Sequence, residues 1–145
     1  MAEAERIVET SAPAEVLFDV ITDYAAYPEF VPGLDAVEVL SRSETRAEVR
    51  FRLRLVRSIS YTLELVEERP RSVVWTMVSG DLATNSGSWT VTSTDTGSLA
   101  TYKVRVEVGM FVPGAILGRL VGETLPATLD AFARRAEART LESPR

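Results

Sequence analysis

The chain has 145 residues, of which 46% are hydrophobic, and a formal net charge of −5 at pH 7. It contains no cysteine and no histidine, which excludes disulfides, thiolate catalysis and cysteine- or histidine-based metal sites, and removes the commonest general base. The acidic balance argues against nucleic acid as a partner, and the chain shows neither a membrane-spanning run nor a signal peptide, so we expect a cytoplasmic protein.

The first residues of the chain predict one strand followed by two short helices. The strand covers residues 5–10, and the first helix carries an apolar stripe formed by Val16, Leu17, Val20 and Ile21. This spacing of three and four residues is typical of an amphipathic helix. Pro28 and Pro32 keep the second helix short, and Pro32-Gly33 predicts a turn after it.

The middle of the chain, residues 35–108, changes to a period of two, which indicates strands. The clearest strand covers residues 46–56, where apolar residues alternate with charged ones. Another strand is predicted to begin at Val37. Four more are predicted at residues 61–65, 72–78, 88–94 and 101–108. Residues 81–87 predict a loop, and residues 95–97 predict a hairpin turn.

The last third of the chain predicts one long helix, residues 112–139. Its apolar stripe consists of Ile116, Leu117, Leu120, Val121, Leu125, Leu129, Phe132 and Ala136. Pro126 removes one backbone hydrogen bond, so we expect a kink or two helices in sequence. Residues 141–145 are expected to form a frayed tail.

This element order predicts an α+β fold in a single domain, residues 1–145. About six or seven antiparallel strands would form one sheet with an apolar face, and the terminal helix is the only element long enough to cover that face.

Two tyrosines and two tryptophans lie on the apolar faces of the predicted strands: Tyr61, Trp75, Trp89 and Tyr102. Their simplest interpretation is core packing. The alternative is that Tyr61 and Tyr102 direct their hydroxyl groups into a ligand cavity, since such pockets are apolar with a few polar groups.

Several charged groups were weighed as sites, and a structural role is preferred for each. The carboxylates of Asp19, Asp23 and Glu29 are interpreted as solvated, although burial would turn one of them into a general acid or base. Asp81 and Asn85 are interpreted as turn formers. A row of arginines, Arg46, Arg50, Arg52 and Arg54, is interpreted as the outer sheet face, paired with acids such as Glu64, rather than as a phosphate-binding surface.

Three stretches carry a resemblance to a known family. They are SAPAEVLFDVITDYAAYPEFVPG (residues 11–33), GDLATNSGSW (residues 80–89), and FVPG (residues 111–114) together with LPATLDAF (residues 125–132). In these stretches the chain resembles the START-like superfamily, also called SRPBCC or helix-grip, and within it the polyketide cyclase/dehydrase and coenzyme Q-binding branch. The resemblance implies a curved sheet wrapped around the long helix and a deep apolar cavity between them.

The resemblance also implies a range of functions, because members bind lipids, quinones, hormones or polyketides and only some transform them. Our leading interpretation is non-catalytic binding or transport of a hydrophobic small molecule. The alternatives are a polyketide aromatase/cyclase or dehydratase without histidine or cysteine, and a regulatory interaction protein. We assign no catalytic residue, metal site or cofactor, and the ligand's identity and the oligomeric state stay open.

Twelve residues are predicted to line the cavity or its mouth. They are Phe30, Phe51, Leu53, Tyr61, Leu63, Trp75, Trp89, Tyr102, Val104, Phe111, Leu117 and Val121. The mouth is expected where residues 27–33 approach residues 109–114.

Overall fold

A computed structural model describes residues 2–54, 58–108 and 125–142 of the chain. Its main element is a seven-stranded sheet in the order β1-β7-β6-β5-β4-β3-β2. The strands are β1 (Ala2–Thr10), β2 (Leu34–Arg42), β3 (Arg46–Arg54), β4 (Ser58–Glu68), β5 (Ser72–Gly80), β6 (Leu82–Thr94) and β7 (Gly97–Val108). Between β1 and β2 lie the helix α1 (Ala14–Thr22) and a 3-10 helix (Tyr24–Glu29), and the chain's last described element is the helix α2 (Leu125–Glu142).

Every neighbouring pair of strands in the sheet is antiparallel. Short connections explain this arrangement for β2 to β7, because a hairpin turn can join only antiparallel strands. The turn predicted at residues 95–97 is present, and Thr94 pairs with Gly97 across it. The first strand crosses to the far edge and pairs with β7, while β2 forms the other edge of the sheet. The α+β helix-grip architecture predicted from the sequence is therefore confirmed.

Apolar and charged side chains alternate along β3, and this alternation decides which face of the sheet is buried. Val49, Phe51 and Leu53 are buried against the core, and the arginines between them are exposed. On the outer face Arg46 pairs with Glu64 at 3.7 Å, Arg50 pairs with Glu38, and Arg52 and Arg54 both pair with Asp35, at 3.2 and 3.3 Å. The interpretation of the arginine row as a solvated, acid-paired face is confirmed.

The edge strand β2 is less regular than the other strands. Its register with β3 shifts between Leu34 and Ala36 and again between Val39 and Ser41. Gly33, which precedes the strand, has a φ of +79°, a conformation that side chains other than glycine rarely adopt. The turn predicted at Pro32-Gly33 therefore has the backbone that its sequence indicates.

The helix α1 buries one face, formed by Leu17, Phe18, Val20 and Ile21. These residues belong to the same buried cluster as the inward side chains of the sheet. The 3-10 helix follows within two residues and contains Pro28. Both short helices therefore lie where the sequence places them and help to cover the concave face of the sheet.

The helix α2 packs against β1 and α1 through its apolar stripe. Leu125, Leu129, Phe132 and Ala136 are buried, as the helical spacing predicts. Thr10 of β1 donates a hydrogen bond to Oε2 of Glu137 at 2.8 Å, which fixes the helix on the sheet. The helix α2 continues through Glu142, two residues into the predicted tail.

The first part of the predicted helix, and with it the expected kink, lies outside the described residues. None of the helices in the described ranges has the length and apolarity required to cross a membrane.

The prediction of a loop at residues 81–87 is wrong, because β6 begins at Leu82. Asn85 pairs with Val106 and Gly87 pairs with Val104 of β7. The asparagine, serine and glycine at residues 85–87, which are typical of turns, are part of a strand in the structure. Gly87 lies opposite Trp75 on β5, and a Cβ atom at position 87 would come within 2.5 Å of the Trp75 ring and even closer to the Lys103 carbonyl oxygen.

This close approach predicts that Gly87→Ala destabilises the protein. The added methyl group meets a backbone oxygen that cannot move alone, so we expect the free energy of unfolding to fall by about 1–3 kcal/mol. Urea denaturation followed by circular dichroism measures the change. The control is Thr90→Ala on the exposed face of the same strand, for which we expect a change within about 0.5 kcal/mol. Equal stability of the two variants would contradict the packing described for Trp75.

Candidate functional site

The concave face of the sheet lines a cavity of about 150 Å³. Its wall combines side chains from β2 to β7 with others from the 3-10 helix, the turn after it and α2. The described lining residues are Tyr27, Val31, Leu34, Phe51, Leu53, Tyr61, Leu63, Leu65, Trp75, Asn85, Trp89, Tyr102, Leu125, Thr128 and Phe132. None of these is charged, so the wall is apolar with a small number of neutral polar groups, as is typical of small-molecule sites.

Aromatic rings form much of the wall on the sheet side. The Tyr102 ring lies 5.4 Å from Trp75 and 4.8 Å from Trp89, measured between ring centroids. Phe51 and Tyr61 stack across β3 and β4 with centroids 5.5 Å apart. Because large rigid rings lose little conformational freedom, they hold the shape of the wall better than flexible side chains would.

Phe132 of α2 closes the cavity on the helix side. Its ring meets Tyr27, Phe30 and Trp89 edge-on, at centroid distances of 5.0, 5.1 and 5.2 Å. The three partners belong to the 3-10 helix, the turn after it and β6. Each such edge-to-face pair adds roughly 0.5–1.5 kcal/mol beyond the area that it buries. Phe132 thus fixes the distance of α2 from β6 on one side, and from the 3-10 helix and the turn after it on the other.

The cavity wall contains several neutral polar groups besides the hydroxyl group of Thr128. The indole N–H of Trp75 donates to Oδ1 of Asn85 at 3.0 Å. The hydroxyl group of Tyr27 donates to the backbone carbonyl of Ile21, so this group is already satisfied within the protein. The hydroxyl groups of Tyr61 and Tyr102 donate to no group in the described ranges.

Burial changes the acidity of the two tyrosines on the sheet. It raises the pKa of Tyr61 to about 12. The pKa of Tyr102 is raised by burial and, to a smaller extent, by the neighbouring Tyr61. Both hydroxyl groups therefore stay protonated at neutral pH, where they act as hydrogen-bond donors and as weak acids at most.

An ion pair between a buried carboxylate and a partly exposed arginine lies outside the residues that line this cavity. Glu67 on β4 is buried and accepts hydrogen bonds from both terminal nitrogens of Arg42, one of them at 2.9 Å. The hydroxyl group of Tyr24 donates to the same carboxylate at 2.7 Å. The pKa of Tyr24 is raised, first by burial and then by its bond to Glu67. The carboxylate is thus neutralised by Arg42 and held by Tyr24.

Seven of the twelve predicted site residues line the cavity: Phe51, Leu53, Tyr61, Leu63, Trp75, Trp89 and Tyr102. Phe30 instead packs behind the wall, against Tyr27 and Phe132. Val104 packs between the main core and a smaller cluster at Ile59 and Leu82. Phe111, Leu117 and Val121 lie outside the described residues, as does the half of the predicted mouth at residues 109–114.

Eight lining residues were absent from the predicted set: Tyr27, Val31, Leu34, Leu65, Asn85, Leu125, Thr128 and Phe132. For most of these a signal was available. Leu65 continues the alternation of Tyr61 and Leu63, and Phe132 lies on the helical stripe. No local signal marks Asn85, because its role depends on Trp75, ten residues earlier on the neighbouring strand.

The acidic candidates lie away from this cavity. Asp19 pairs with Arg69 at 2.7 Å, Glu29 pairs with Arg135 at 2.6 Å, and all four side chains keep contact with solvent. Asp81 forms the bend between β5 and β6, and its carboxylate accepts a hydrogen bond from the backbone N–H of Ser60 on β4 at 2.9 Å. In the described ranges, no group of three or more acidic residues is arranged to hold a metal ion. The structural interpretation therefore holds for Asp19, Glu29 and Asp81, and is wrong for Asn85.

Known proteins with this fold differ widely in their named roles. Solved structures that match nearly the whole chain include the Zhui aromatase/cyclase from Streptomyces sp. R1128, at 19% identity and a TM-score of 0.82, covering 96% of this chain and 95% of that one. A STAR-related lipid transfer protein from Xanthomonas axonopodis also matches, at 19% identity and a TM-score of 0.82, with 93% of this chain and 85% of that one covered. At such identities the likeness is one of fold alone.

Sequence comparison adds a curated relative and a family. The ribosome association toxin RatA of Vibrio cholerae is 26% identical over 140 residues, which cover 94% of this chain and 96% of the relative. Residues 10–133 match the family described as polyketide cyclase/dehydrase and lipid transport. The match spans most of the chain, including both short helices, strands β2 to β7 and the part of α2 that carries Phe132, and it confirms the resemblance found in the sequence. The chain therefore belongs to the polyketide cyclase/dehydrase and lipid transport family.

Proposed function

We propose that the protein binds a hydrophobic small molecule, such as a lipid, a quinone or a polyketide, in its cavity and releases it chemically unchanged. The observation that carries the proposal is the wall of the cavity, which combines aromatic and aliphatic side chains with a few neutral polar groups. An apolar ligand that leaves water for this surface gains about 25 cal/mol for each Å² buried. The lipid transfer protein with the same fold supports this reading.

The chemistry of the wall favours binding over catalysis. Tyr61 and Tyr102 are the titratable groups on the sheet side of the cavity, and burial raises the pKa of both. A general base must accept a proton near neutral pH, and a hydroxyl group with a raised pKa is poorly suited to that task. The nearest buried carboxylate, Glu67, is already engaged by Arg42 and Tyr24.

An enzyme is the second candidate, because one protein with the same fold is an aromatase/cyclase. Cyclisation of a poly-β-ketone chain needs a shaped cavity that brings two of its carbons together, and proton transfer then completes the loss of water. Tyr61 or Tyr102 would have to supply the proton, since both are neutral donors at the cavity wall. On this hypothesis the tyrosine hydroxyl groups are essential, and on the binding hypothesis they only orient the ligand.

A regulatory role is the third candidate, raised by the relative that is named a ribosome association toxin. Binding to RNA would call for an unneutralised basic surface. On the outer sheet face, the arginines of β3 each face an acid, and the net charge of the chain is −5. We therefore rank this candidate below the two that use the cavity.

The binding function predicts saturable uptake of a small apolar fluorescent dye, naphthalene, at about one site per chain, since its ten carbon atoms suit a cavity of about 150 Å³. Leu63→Trp places a larger ring in the cavity, and we expect it to abolish dye binding. Fluorescence titration measures the binding, and thermal unfolding shows that the variant is folded. The matched control is Val74→Trp on the outer sheet face, where the side chain is 49% exposed. Equal dye binding by the two variants would show that the dye binds elsewhere.

The absence of catalysis is tested with a linear poly-β-ketone mimic. We expect mass spectrometry to recover it unchanged after incubation, at the rate of the buffer alone, because no group of the described cavity wall accepts a proton at neutral pH. The single-atom variants Tyr61→Phe and Tyr102→Phe serve as controls. Loss of water well above the buffer rate, abolished by either variant, would overturn the binding function in favour of the cyclase.

A further inference from the structure

The orientation of the Asn85 side chain follows from the chemistry of its partner. Asn85 lies on β6 and is 8% exposed, with its amide at the cavity wall. The indole nitrogen of Trp75 can only donate a hydrogen bond, so the amide atom that faces it at 3.0 Å must be the oxygen. The amide NH2 group is therefore on the other side of the Asn85 side chain, and its two N–H donors are not used by Trp75.

Three groups at the wall have donors that meet no acceptor within the part of the chain that the structure describes. The Asn85 NH2 group and the hydroxyl groups of Tyr61 and Tyr102 donate no hydrogen bond to any residue in the described ranges. No fully enclosed side-chain nitrogen or oxygen atom of those ranges lacks a partner, so none of the three groups is sealed unpaired in the core, and all three residues line the cavity. Trp75 holds Asn85 and Tyr102 side by side, because it bonds the first and packs against the second. Tyr61 lies close enough to Tyr102 to raise the pKa of its hydroxyl group. We call Asn85, Tyr61 and Tyr102 the donor cluster.

A donor cluster in an uncharged wall is complementary to one kind of ligand atom. Unmet donors in an apolar site are costly, and an oxygen acceptor on the ligand removes that cost. A carboxylate would also accept these bonds, but it would leave water for a wall whose described residues carry no positive charge. A pure hydrocarbon would leave all three donors unmatched.

We propose that the donor cluster makes the site specific for a neutral apolar ligand that carries a carbonyl oxygen, and that Asn85 is its principal specificity-determining residue. This inference rests on the proposed binding function and adds the chemical class of the ligand. The carbonyl oxygen accepts from the Asn85 NH2 group and from a tyrosine hydroxyl, while the apolar part of the ligand lies against Phe51, Leu63 and Trp89.

The test uses two probes of nearly equal shape, acetophenone and cumene, in which a carbonyl oxygen replaces a methyl group. Both are small enough for a cavity of about 150 Å³, a volume comparable to an engineered cavity that holds benzene. Their dissociation constants are measured by displacement of naphthalene, and the ratio of the two constants is compared between variants. Asn85→Leu should weaken acetophenone relative to cumene by about tenfold, as expected for a lost hydrogen bond.

Two further variants and a third probe complete the design. The double variant Tyr61→Phe, Tyr102→Phe removes two oxygen atoms without changing the ring shapes, so it keeps the test decisive if Asn85→Leu fails to fold, and it should shift the ratio in the same direction. Thr90→Val, on the exposed face of β6, is the control and should leave the ratio unchanged. Benzoate, which is charged at pH 7.5, should bind more weakly than acetophenone to the wild-type protein.

A spectroscopic measurement separates a hydrogen bond from a general change in affinity. The infrared C=O stretch of bound acetophenone should move to lower wavenumber in the wild-type protein and return in Asn85→Leu. If dye and cumene bind but the ratio is the same in wild type, Asn85→Leu and the tyrosine variant, the donor cluster is not selective and the inference is overturned while the binding function stands. If neither dye nor probe binds the wild-type protein, the binding function itself fails.

Discussion

The edge-on contacts of Phe132 with Tyr27, Phe30 and Trp89 are the constraint on which the site depends. A curved sheet with one apolar face needs a cover, and this ring contacts both the sheet and the segment that follows α1, in addition to the other buried residues of α2 and its hydrogen bond from Thr10. The helix cannot approach the sheet more closely without pressing this ring into Trp89. The cavity beside it is therefore held open by rigid aromatic contacts.

Much of this arrangement could be predicted from local pattern. The alternation of residues 46–54 identifies both faces of β3, and the apolar spacing of α2 identifies its buried side, because burial imposes the period of each element on its sequence. The inward position of Tyr61 and Tyr102 follows from the same rule. Periodicity reports the face on which a side chain lies, so it placed most of the sheet wall correctly.

Asn85 shows why the rest could not be predicted. Asparagine and glycine at residues 85–87 are typical of turns, and only the neighbouring strand gives them another role. Trp75 needs a glycine opposite its ring and an acceptor for its N–H, and both lie on β6. Such pairings depend on strand register, which a local pattern does not specify. The contact of Phe30 with Phe132 is hidden from a local pattern for a related reason, since the two residues lie about a hundred positions apart.

The same wall accounts for the variety of roles found on this fold. Strands supply the rigid surface, and single polar side chains on it decide whether a ligand is held, oriented or transformed. In this chain the described wall offers donors and no proton acceptor of suitable pKa, while the charged groups Glu67 and Arg42 neutralise one another just outside it. The described cavity wall therefore contains neutral polar groups, and this ion pair lies outside it.

The irregular pairing of β2 with β3 has a consequence for how copies of the protein meet. A sheet that ends in a straight strand presents a row of unpaired backbone groups, onto which another chain can add. The two register shifts in β2 bend this border and break the even spacing of its N–H and C=O groups. Glu38 and Arg42 place charge along the same strand. This border of the sheet is thus a poor template for aggregation, even though Val39 and Leu40 are exposed on it.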